Sequence, residues 1–501
     1  MLDQATGMPR TQAAARSSGA RQLYLSLSLH ERQREHEAEA GAADEAAHWL
    51  LGQLDAAGPA PSTLPQGADA FAAWSAAHHD LVGGQYKQYL AQRKAGAPRR
   101  FFSNKAHALY FLKGVAPTKL VDGAWLFGLL KHWEQGAMRP LITTYLEELG
   151  NGVPEKNHVA LFQKLIDTHG CAQWQGLPEQ FFVQGAIQLA LAYNADQFLP
   201  ELIGYNLGYE QLPLHLLITA YELNELGIDP YYFTLHVTVD NAGSGHARKA
   251  WEALHKLTPQ VGDAAAFMRR VEAGYRLNDL GVGTEAVIDS FDLYGELVGI
   301  LGAKTAVGKN MHSDYCKVGG RSLNDWMADP KQVPALLTAL EAQGWFTRGQ
   351  APEDSRFWAL IQGDRAHMFG VFSAYEQQVL HDWIATPPHP QAAAVLPRVA
   401  SHRAGQRAAG VNGAHGLNGA NSGRARQLRD SGERGIIRHR FPDDEHGWES
   451  IGCELHLLEA KLAAAGSKQE AITMLIALMS PASHHSSAGL MATRIFSRLY
   501  N

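Results

Sequence analysis

Residues 124–149 read AWLFGLLKHWEQGAMRPLITTYLEEL, and their pattern decides the fold class. The apolar residues recur at spacings of three, four and seven, which is the period of an amphipathic helix. Similar segments, separated by glycine and proline, run from Gln22 to about Ala385, whereas the period-2 alternation of strands is scarce. A strand competes only at LYLSLSL (23–29), where the neighbouring segments favour helix. The sequence therefore predicts an all-α protein.

The composition is that of a globular protein. The chain has 501 residues, 46% of them hydrophobic, which is enough for one or two buried cores. Lys and Arg number 44 against 50 Asp and Glu, so the net charge is −6, and with no basic block we expect no nucleic-acid partner. No run approaches the roughly 18 apolar residues of a membrane span. Since the N-terminus also lacks an apolar signal segment, we expect no membrane association and a soluble, cytoplasmic protein.

Changes in composition divide the chain into five parts. The stretch GVNGAHGLNGANSGRAR (410–426) has almost no large apolar side chain, so it buries too little to offset the entropy of ordering it. Helical periodicity returns afterwards in CELHLLEAKLAAA and ITMLIALM. We predict a disordered tail (1–20), an N-terminal helical extension (21–99), a main helical domain (100–385), a disordered flexible linker (386–440) and a small C-terminal helical segment (441–501).

Histidine is plentiful and cysteine scarce, with 24 His against 3 Cys. Cys171, Cys316 and Cys453 are too scattered for a disulfide framework or a CxxC zinc site. Any metal ligands are therefore expected to be imidazoles and carboxylates.

The clearest candidates lie in DPYYFTLHVTVDNAGSGHARKA (229–250). His236 and Asp240 are four residues apart and share a helix face, so both can point at a common ion. His246 falls about 80° off that face. It can join only if the helix is distorted, for which Gly243 and Gly245 are suitable places. An isolated pair of this kind is usually a surface pair, but the flanking sequence is apolar on most sides.

A second candidate stretch is YLEELGNGVPEKNHVALFQKLI (145–166). A helix is expected to end at Glu148, and the Gly- and Pro-containing run after it leads to a new helix that carries His158. Glu155 lies three residues before His158 and competes with Glu148 for the same role. The other interpretation of Glu155 is an acidic residue in the first turn of a helix.

Two further carboxylates are candidates. Glu201 and Glu210 are nine residues apart and cannot face one site from a regular helix; Glu210 is the better buried candidate, and Glu201, after Pro200, resembles a helix N-terminal residue. Asp122 is either a buried acid or a helix N-cap. Buried acids and imidazoles are costly unless they are paired or metal-bound. Three acids and three histidines would satisfy two divalent cations, and this donor set suits iron or manganese better than structural zinc.

Three runs then resemble a known family in order and spacing: EELGNGVPEKNHVALF, PELIGYNLGYE and YYFTLHVTVDNAGSGHA. They are similar to the haem-oxygenase-like diiron oxidases, which are iron-containing redox enzymes. The resemblance covers roughly residues 100–385 and is sharpest over 140–250. It implies a haem-oxygenase-like helical bundle that holds two iron ions and no haem.

The resemblance also implies which residues bind the metal. The implied ligands are Glu148, His158, Glu210 as the bridging carboxylate, His236, Asp240 and His246. In the family the last histidine often follows the Asp by three residues, where this chain has Gly243, so only a longer spacing reaches His246. Asp122 lies where some members have a further acid, and Glu155 stays an alternative to Glu148.

The function implied by the resemblance is that of an O2-dependent non-haem diiron oxidase or oxygenase. Its expected substrate is a small amine or amino-acid-like molecule, altered by N-oxygenation or oxidative C–C cleavage in secondary metabolism. A homodimer and an external electron donor are compatible with this function.

Two other functions are weighed against it. The first is a metal-free helical scaffold or accessory protein with the same fold and no redox activity. The second, a ferritin-like bundle, needs two metal-facing ExxH motifs. Glu45 to His48 and Glu155 to His158 match, but Glu45 lies in an Ala-rich acidic stretch typical of a solvated helix. The adjacent His484 and His485 are interpreted as a turn or a dimer contact.

Overall fold

The structure is a computed structural model. It describes residues 19–29, 36–59, 64–65, 67, 70–240, 243, 245–362, 366–368, 370–388 and 455–500. Nearly all of the predicted disordered tail (1–20) and of the predicted linker (386–440) lies outside these residues. The division into five parts therefore stays a prediction.

The regular secondary structure of the described residues is almost entirely helical, so the predicted all-α class is confirmed. The first half contains α1 (Ala20–Leu29), α2 (His36–Ala57), α3 (Phe71–Lys94), α4 (Lys105–Lys119), α5 (Arg139–Glu148), α6 (His158–Thr168), α7 (Val183–Tyr193), α8 (Leu199–Tyr209), α9 (Leu214–Glu225), α10 (Tyr231–Val239) and α11 (His246–Leu257). The second half contains α12 (Ala264–Arg276), α13 (Thr284–Asp289), α14 (Leu293–Gly308), α15 (Leu323–Met327), α16 (Val333–Ala342), α17 (Arg356–Ile361), α18 (Ala374–Ala385), α19 (455–463), α20 (Lys468–Leu478) and α21 (Ser487–Tyr500).

Short 3₁₀ helices and one small hairpin complete the described secondary structure. The 3₁₀ helices are Ala124–His132, Gly136–Met138, Gly150–Gly152, Pro154–Lys156, Glu179–Phe182, Leu277–Asp279, Pro330–Gln332 and Pro352–Asp354. The strands β1 (Lys317–Val318) and β2 (Arg321–Ser322) pair antiparallel, with Lys317 opposite Ser322. LYLSLSL (23–29) is helical, as its neighbours indicated.

The stretch 124–149 forms two helices with a turn between them. The first is the nine-residue 3₁₀ helix, and the second is α5, which has Pro140 in its first turn. Proline is tolerated there because the first backbone N–H groups of a helix have no intrahelical partner. α5 ends at Glu148, where the sequence predicts the helix to end.

One continuous cluster of buried apolar side chains joins these elements. It extends from Leu23 in α1 through Trp125 and Tyr145 to Phe496 in α21. The central helix α7 contacts α1, α2, α4 and the 3₁₀ helix 124–132. Because the C-terminal helix shares this core with the rest, it packs as part of the same body. Among the helices of the described residues, none is long and apolar enough to cross a membrane.

Candidate metal centre

The implied ligands lie at helix ends that meet in the core. Glu148 is the last residue of α5, and His158 and His246 are the first residues of α6 and α11. Glu210 and Asp240 directly follow α8 and α10. Counting Asp122 and His236 as well, none of the seven residues is more than 6% exposed. The fold therefore gathers four carboxylates and three imidazoles in one buried place.

A first group consists of Asp122, Glu148, His158 and His236, whose potential ligand atoms all lie within 4.8 Å of one another. His158 Nδ1 contacts Glu148 Oε2, and His236 Nε2 lies 3.1 Å from Asp122 Oδ2. The other ring nitrogen of His236 lies 2.8 Å from the Tyr232 carbonyl, which can only accept, so Nδ1 donates its proton there. This bond leaves Nε2 directed into the group, as in many metal-binding histidines.

A second group contains Glu148, Glu210 and His246 within the same 4.8 Å limit. His246 Nδ1 lies 3.1 Å from Glu148 Oε1, 3.2 Å from Glu210 Oε2 and 3.2 Å from Asp240 Oδ1. Despite these distances, His246 Nδ1 has no hydrogen bond of acceptable geometry. The imidazole nitrogen and the carboxylate oxygens converge on a shared space rather than on each other.

Three buried potential ligand atoms in the two groups, His158 Nδ1, Glu210 Oε1 and His246 Nδ1, lack a hydrogen-bond partner, and so does Asp240 Oδ1 beside His246. Buried polar atoms of native proteins are nearly always satisfied, by protein, by water or by an ion. Unsatisfied atoms of two imidazoles and two carboxylates in one buried cluster match the donor set of a divalent cation. The residues present therefore fit a metal.

Glu148 belongs to both groups. Its Oε2 contacts His158, and its Oε1 faces His246. The carboxylate shared by the two groups is thus Glu148, whereas the resemblance assigned the bridging position to Glu210. The turn at residues 120–123, called the Asp122 turn below, lies close to Glu148, and this approach requires glycine at position 123. Gly123 has φ +80°, and an added Cβ there would lie 2.8 Å from the Cβ of Glu148.

Around Asp122 the sequence reasoning missed part of the network. Tyr209 donates to Asp122 Oδ1 at 2.7 Å. Tyr232 was missed; it donates to Asp122 Oδ2. Its position four residues before His236, on the same helix face, was the available signal. Lys119 Nζ lies 3.6 Å from Asp122 Oδ1, so every oxygen of this carboxylate has a donor.

Glu147 is a second residue that the sequence reasoning missed. Its Oε2 lies 2.9 Å from His246 Nε2 and 2.5 Å from Lys249 Nζ. A carboxylate behind a metal-facing imidazole holds the proton on the outer nitrogen and leaves the inner one free. Glu147 can therefore orient His246 Nδ1 toward Glu148, Glu210 and Asp240. No spacing signal separated it from its neighbour Glu148.

The charges of the cluster are balanced by sharing protons. Burial works against ionisation of Glu148 and Asp122, but His158 holds the pKa of Glu148, and Lys119 and His236 that of Asp122, well below the usual range. Burial, with the charges of Asp240 and Glu148, raises the pKa of Glu210 to about 8. Burial opposes the proton on His236, yet the hydrogen bond that His236 donates to Asp122 raises its pKa to about 9.

The other sequence candidates lie elsewhere. Glu155 sits half-buried in the separate 3₁₀ turn Pro154–Lys156 and belongs to neither group, so Glu148 is the acid that contacts His158. Glu201 forms an ion pair with Arg270 at 2.6 Å. Glu45 and His48 are both exposed, which gives no support to a pair of metal-facing ExxH motifs.

The last candidate helix differs from the expected arrangement. His236 and Asp240 were expected to face a common ion, but His236 lies in the first group and Asp240 Oδ1 lies beside His246 of the second. The reason is that α10 ends at Val239 and a new helix begins at His246. The helix ends completely, where the sequence analysis allowed only a local distortion. The start of the second helix brings His246 into the site.

Comparison with known proteins bears on the same part of the chain. Residues 109–279 match the model of a family described as iron-containing redox enzyme. No curated protein and no solved structure matches the chain. The matched stretch contains the six residues of the two groups and Asp240, and it confirms the resemblance seen in the sequence. Residues 109–279 are therefore similar to the haem-oxygenase-like family of iron-containing redox enzymes.

Proposed function

We propose that this protein is an O2-dependent non-haem diiron oxidase or oxygenase acting on a small amine or amino-acid-like substrate. The observation that carries the proposal is the pair of buried donor groups that meet at Glu148. Two groups sharing one carboxylate provide two adjacent cation positions. The family match supports iron as the metal.

Charge balance favours two divalent ions over one. Asp122, Glu148, Glu210 and Asp240 carry four negative charges when ionised, and all four are buried. Unpaired buried carboxylates are costly, so the cluster needs either bound protons or cations. Two divalent cations supply the four positive charges, and carboxylate oxygens with imidazole nitrogens are donors that iron accepts. We propose the six residues of the two groups, together with Asp240, as the ligand set.

The chain's own residues would orient the ligands and exclude water. The Tyr232 carbonyl fixes the His236 ring, and Glu147 fixes the His246 ring. Burial, with the nearby Asp122, raises the pKa of both Tyr209 and Tyr232 well above the usual value, so both phenols stay protonated and donate to Asp122. Iron, when bound, would supply the redox chemistry with O2 that amino-acid side chains lack.

The reaction class determines whether a reductant is needed. Reduction of O2 to two water molecules takes four electrons. N-hydroxylation of an amine places one oxygen atom on nitrogen and releases the other as water, which consumes two electrons from outside the substrate. We therefore propose an external electron donor for N-oxygenation, whereas an oxidative C–C cleavage that removes four electrons from the substrate would need none. The setting in secondary metabolism is part of the same proposal.

The test is anaerobic loading with Fe(II), removal of free metal, measurement of bound iron and then of O2 uptake. We expect about two irons per chain and O2 consumption by the loaded protein. Glu148→Gln should lose most of the iron because it reaches both groups, and Asp240→Ala should bind less than the wild type. Glu155→Gln is the matched control and should load like the wild type. A wild-type protein that binds no iron would instead identify a metal-free scaffold, and a Glu148→Gln variant that loads fully would place the iron outside the two groups.

A further inference from the structure

The C-terminal helical pair, residues 468–500, lies outside the family match and packs on the candidate metal centre. It consists of α20, a turn and α21. α21 contacts the 3₁₀ helix Gly150–Gly152 in the loop 149–157, which joins Glu148 to His158, and α20 contacts the 3₁₀ helix Ala124–His132. Since both ends of this loop carry proposed ligands, anything that fixes the loop also fixes the distance between them.

α21 packs directly on the backbone of the loop. Gly152 has φ +77°, and an added Cβ there would lie 2.3 Å from the Leu490 carbonyl oxygen. Arg494 Nη2 donates to the Gly152 carbonyl at 3.1 Å, and Ser497 Oγ donates to Asn151 Oδ1 at 3.3 Å. A glycine is required at 152 both for the backbone conformation and for the close approach of the helix.

The turn between α20 and α21 makes the second attachment. Tyr145, on α5, donates its hydroxyl proton to the Met479 carbonyl at 2.5 Å. His484 is only 2% exposed, and its Nδ1 lies 3.0 Å from Asn157 Nδ2. His484 thus lies in the turn expected from the sequence, but it packs inside this chain rather than at a dimer contact.

Asn157 connects His484 to both ligand-bearing segments. Its Oδ1 accepts the Ala160 N–H at 3.0 Å, which caps α6 immediately before His158. The amide nitrogen must then face the other way, where it donates to the Leu149 carbonyl at 3.4 Å and to His484 Nδ1. Since an amide N–H can only donate, His484 accepts through Nδ1 and carries its own proton on Nε2.

We propose that the C-terminal helical pair fixes the positions of Glu148 and His158 relative to each other. In this proposal His484 is a positioning residue that acts on both ligands through Asn157. This inference rests on the proposed function, because it takes Glu148 and His158 to be metal ligands. Residues that orient ligands without touching the metal commonly change metal affinity by about 10–100-fold when they are replaced. The candidate centre would then extend well beyond residues 109–279.

The test is the rate at which anaerobically iron-loaded protein releases Fe(II) to a chelator. His484→Ala leaves the Asn157 amide without its acceptor, and we expect release to be about tenfold faster or more. His484→Asn places an amide oxygen where Nδ1 lies and should restore a rate within about twofold of the wild type. His485→Ala, at the exposed neighbouring position, is the matched control and should release iron like the wild type.

Two further measurements distinguish a positioning role of His484 from a general effect on the stability of the fold. The melting temperature of each iron-free variant reports general destabilisation, and the Mössbauer spectrum of loaded protein reports the ligand geometry. We expect His484→Ala to alter the iron signals, whereas a merely structural residue would lower the melting temperature and leave release and spectrum unchanged. If His484→Ala does not fold, Arg494→Ala provides a second test, because Arg494 is exposed and its replacement removes the hydrogen bond to the Gly152 carbonyl. We expect this variant to release iron faster than the wild type.

The outcomes distinguish this inference from the proposed function. Wild-type protein that binds no iron overturns both. Wild-type protein that binds iron, with release rates unchanged in His484→Ala and in Arg494→Ala, overturns the positioning role alone. Faster release that His484→Asn reverses supports it.

Discussion

At the scale of single residues, Glu148 differs from the other buried carboxylates because its two oxygens face imidazoles of different groups. Oε2 contacts His158, and Oε1 lies 3.1 Å from His246 Nδ1. Asp122, by contrast, accepts hydrogen bonds from Tyr209 and Tyr232 on its two oxygens. Glu148 is the one residue that occurs in both groups, so its loss removes a potential metal ligand from both at once.

The protons held by the cluster predict that iron binding depends on pH. Without metal, Glu210 has a pKa of about 8 and His236 a pKa of about 9, and carboxylates led by Glu210 raise the pKa of His246 well above its usual value against the effect of burial. At neutral pH all three groups are protonated, and a cation must displace these protons. We expect Fe(II) affinity to rise from about pH 6 to pH 9, by about tenfold per pH unit for each proton displaced.

Anaerobic Fe(II) titrations across this pH range, with proton release measured in a weakly buffered solution, check the prediction. Affinity for Fe(II) should increase with pH because protons compete with the cation for the same atoms, and raising the pH through 8 and then 9 removes these protons. Affinity that is flat with pH, without proton release, would show that the groups are already deprotonated in the iron-free protein.

At the scale of elements, the candidate site is built from helix ends and the turns beside them. A residue inside a helix can project along one face only, whereas the first or last residue can be aimed by the turn that follows or precedes it. The Asp122 turn shows the geometric demand. Gly123 takes φ +80° there, and its Cα faces the Cβ and Cγ of Glu148.

Gly123→Ala is therefore expected to damage both stability and iron loading. An L-residue in the left-handed region costs about 1–3 kcal/mol, and the new Cβ would also push Glu148 away from the site. Urea unfolding of the iron-free protein and the iron content after loading measure the two effects. Gly136→Ala is the matched control, since an added Cβ there meets no atom within 4 Å. Equal stability and iron content in the two variants would contradict this account of Gly123.

How far the sequence predicts the site also depends on these elements. The helical period identified α5, α6 and α10, and it placed Glu148 and His158 on adjacent helices. Spacing could not choose between Glu148 and Glu155, because the choice depends on the left-handed turn at Gly150, Asn151 and Gly152. The same holds for the full break between α10 and α11, since glycine permits either a bend or a new helix.

Contacts between distant parts of the chain were beyond sequence reasoning altogether. Tyr209 and Tyr232 reach Asp122 from about 90 and 110 residues away, and His484 reaches Asn157 across more than 300. Periodicity reports which face of a helix is buried, but not which residue it is buried against.

At the scale of the whole molecule, the proposed ligands link segments that are far apart in sequence. They come from the turn after α4, from α5, α6, α10 and α11, and from the end of α8. The same helices share one apolar core with α21. Unfolding would separate the donors, so a cation that binds all of them binds the folded chain in preference to the unfolded one.

Iron loading should therefore stabilise the entire fold. A ligand that binds only the folded state adds about 2.7 kcal/mol to the free energy of unfolding when its free concentration is a hundredfold above its dissociation constant. We expect anaerobic Fe(II) to raise the melting temperature of the wild type by several degrees, and a chelator to reverse the increase. Glu148→Gln is the control, because its iron-free form keeps the same core but lacks the shared ligand. An Fe(II)-induced shift of equal size in both proteins would place the stabilising ion outside the two groups.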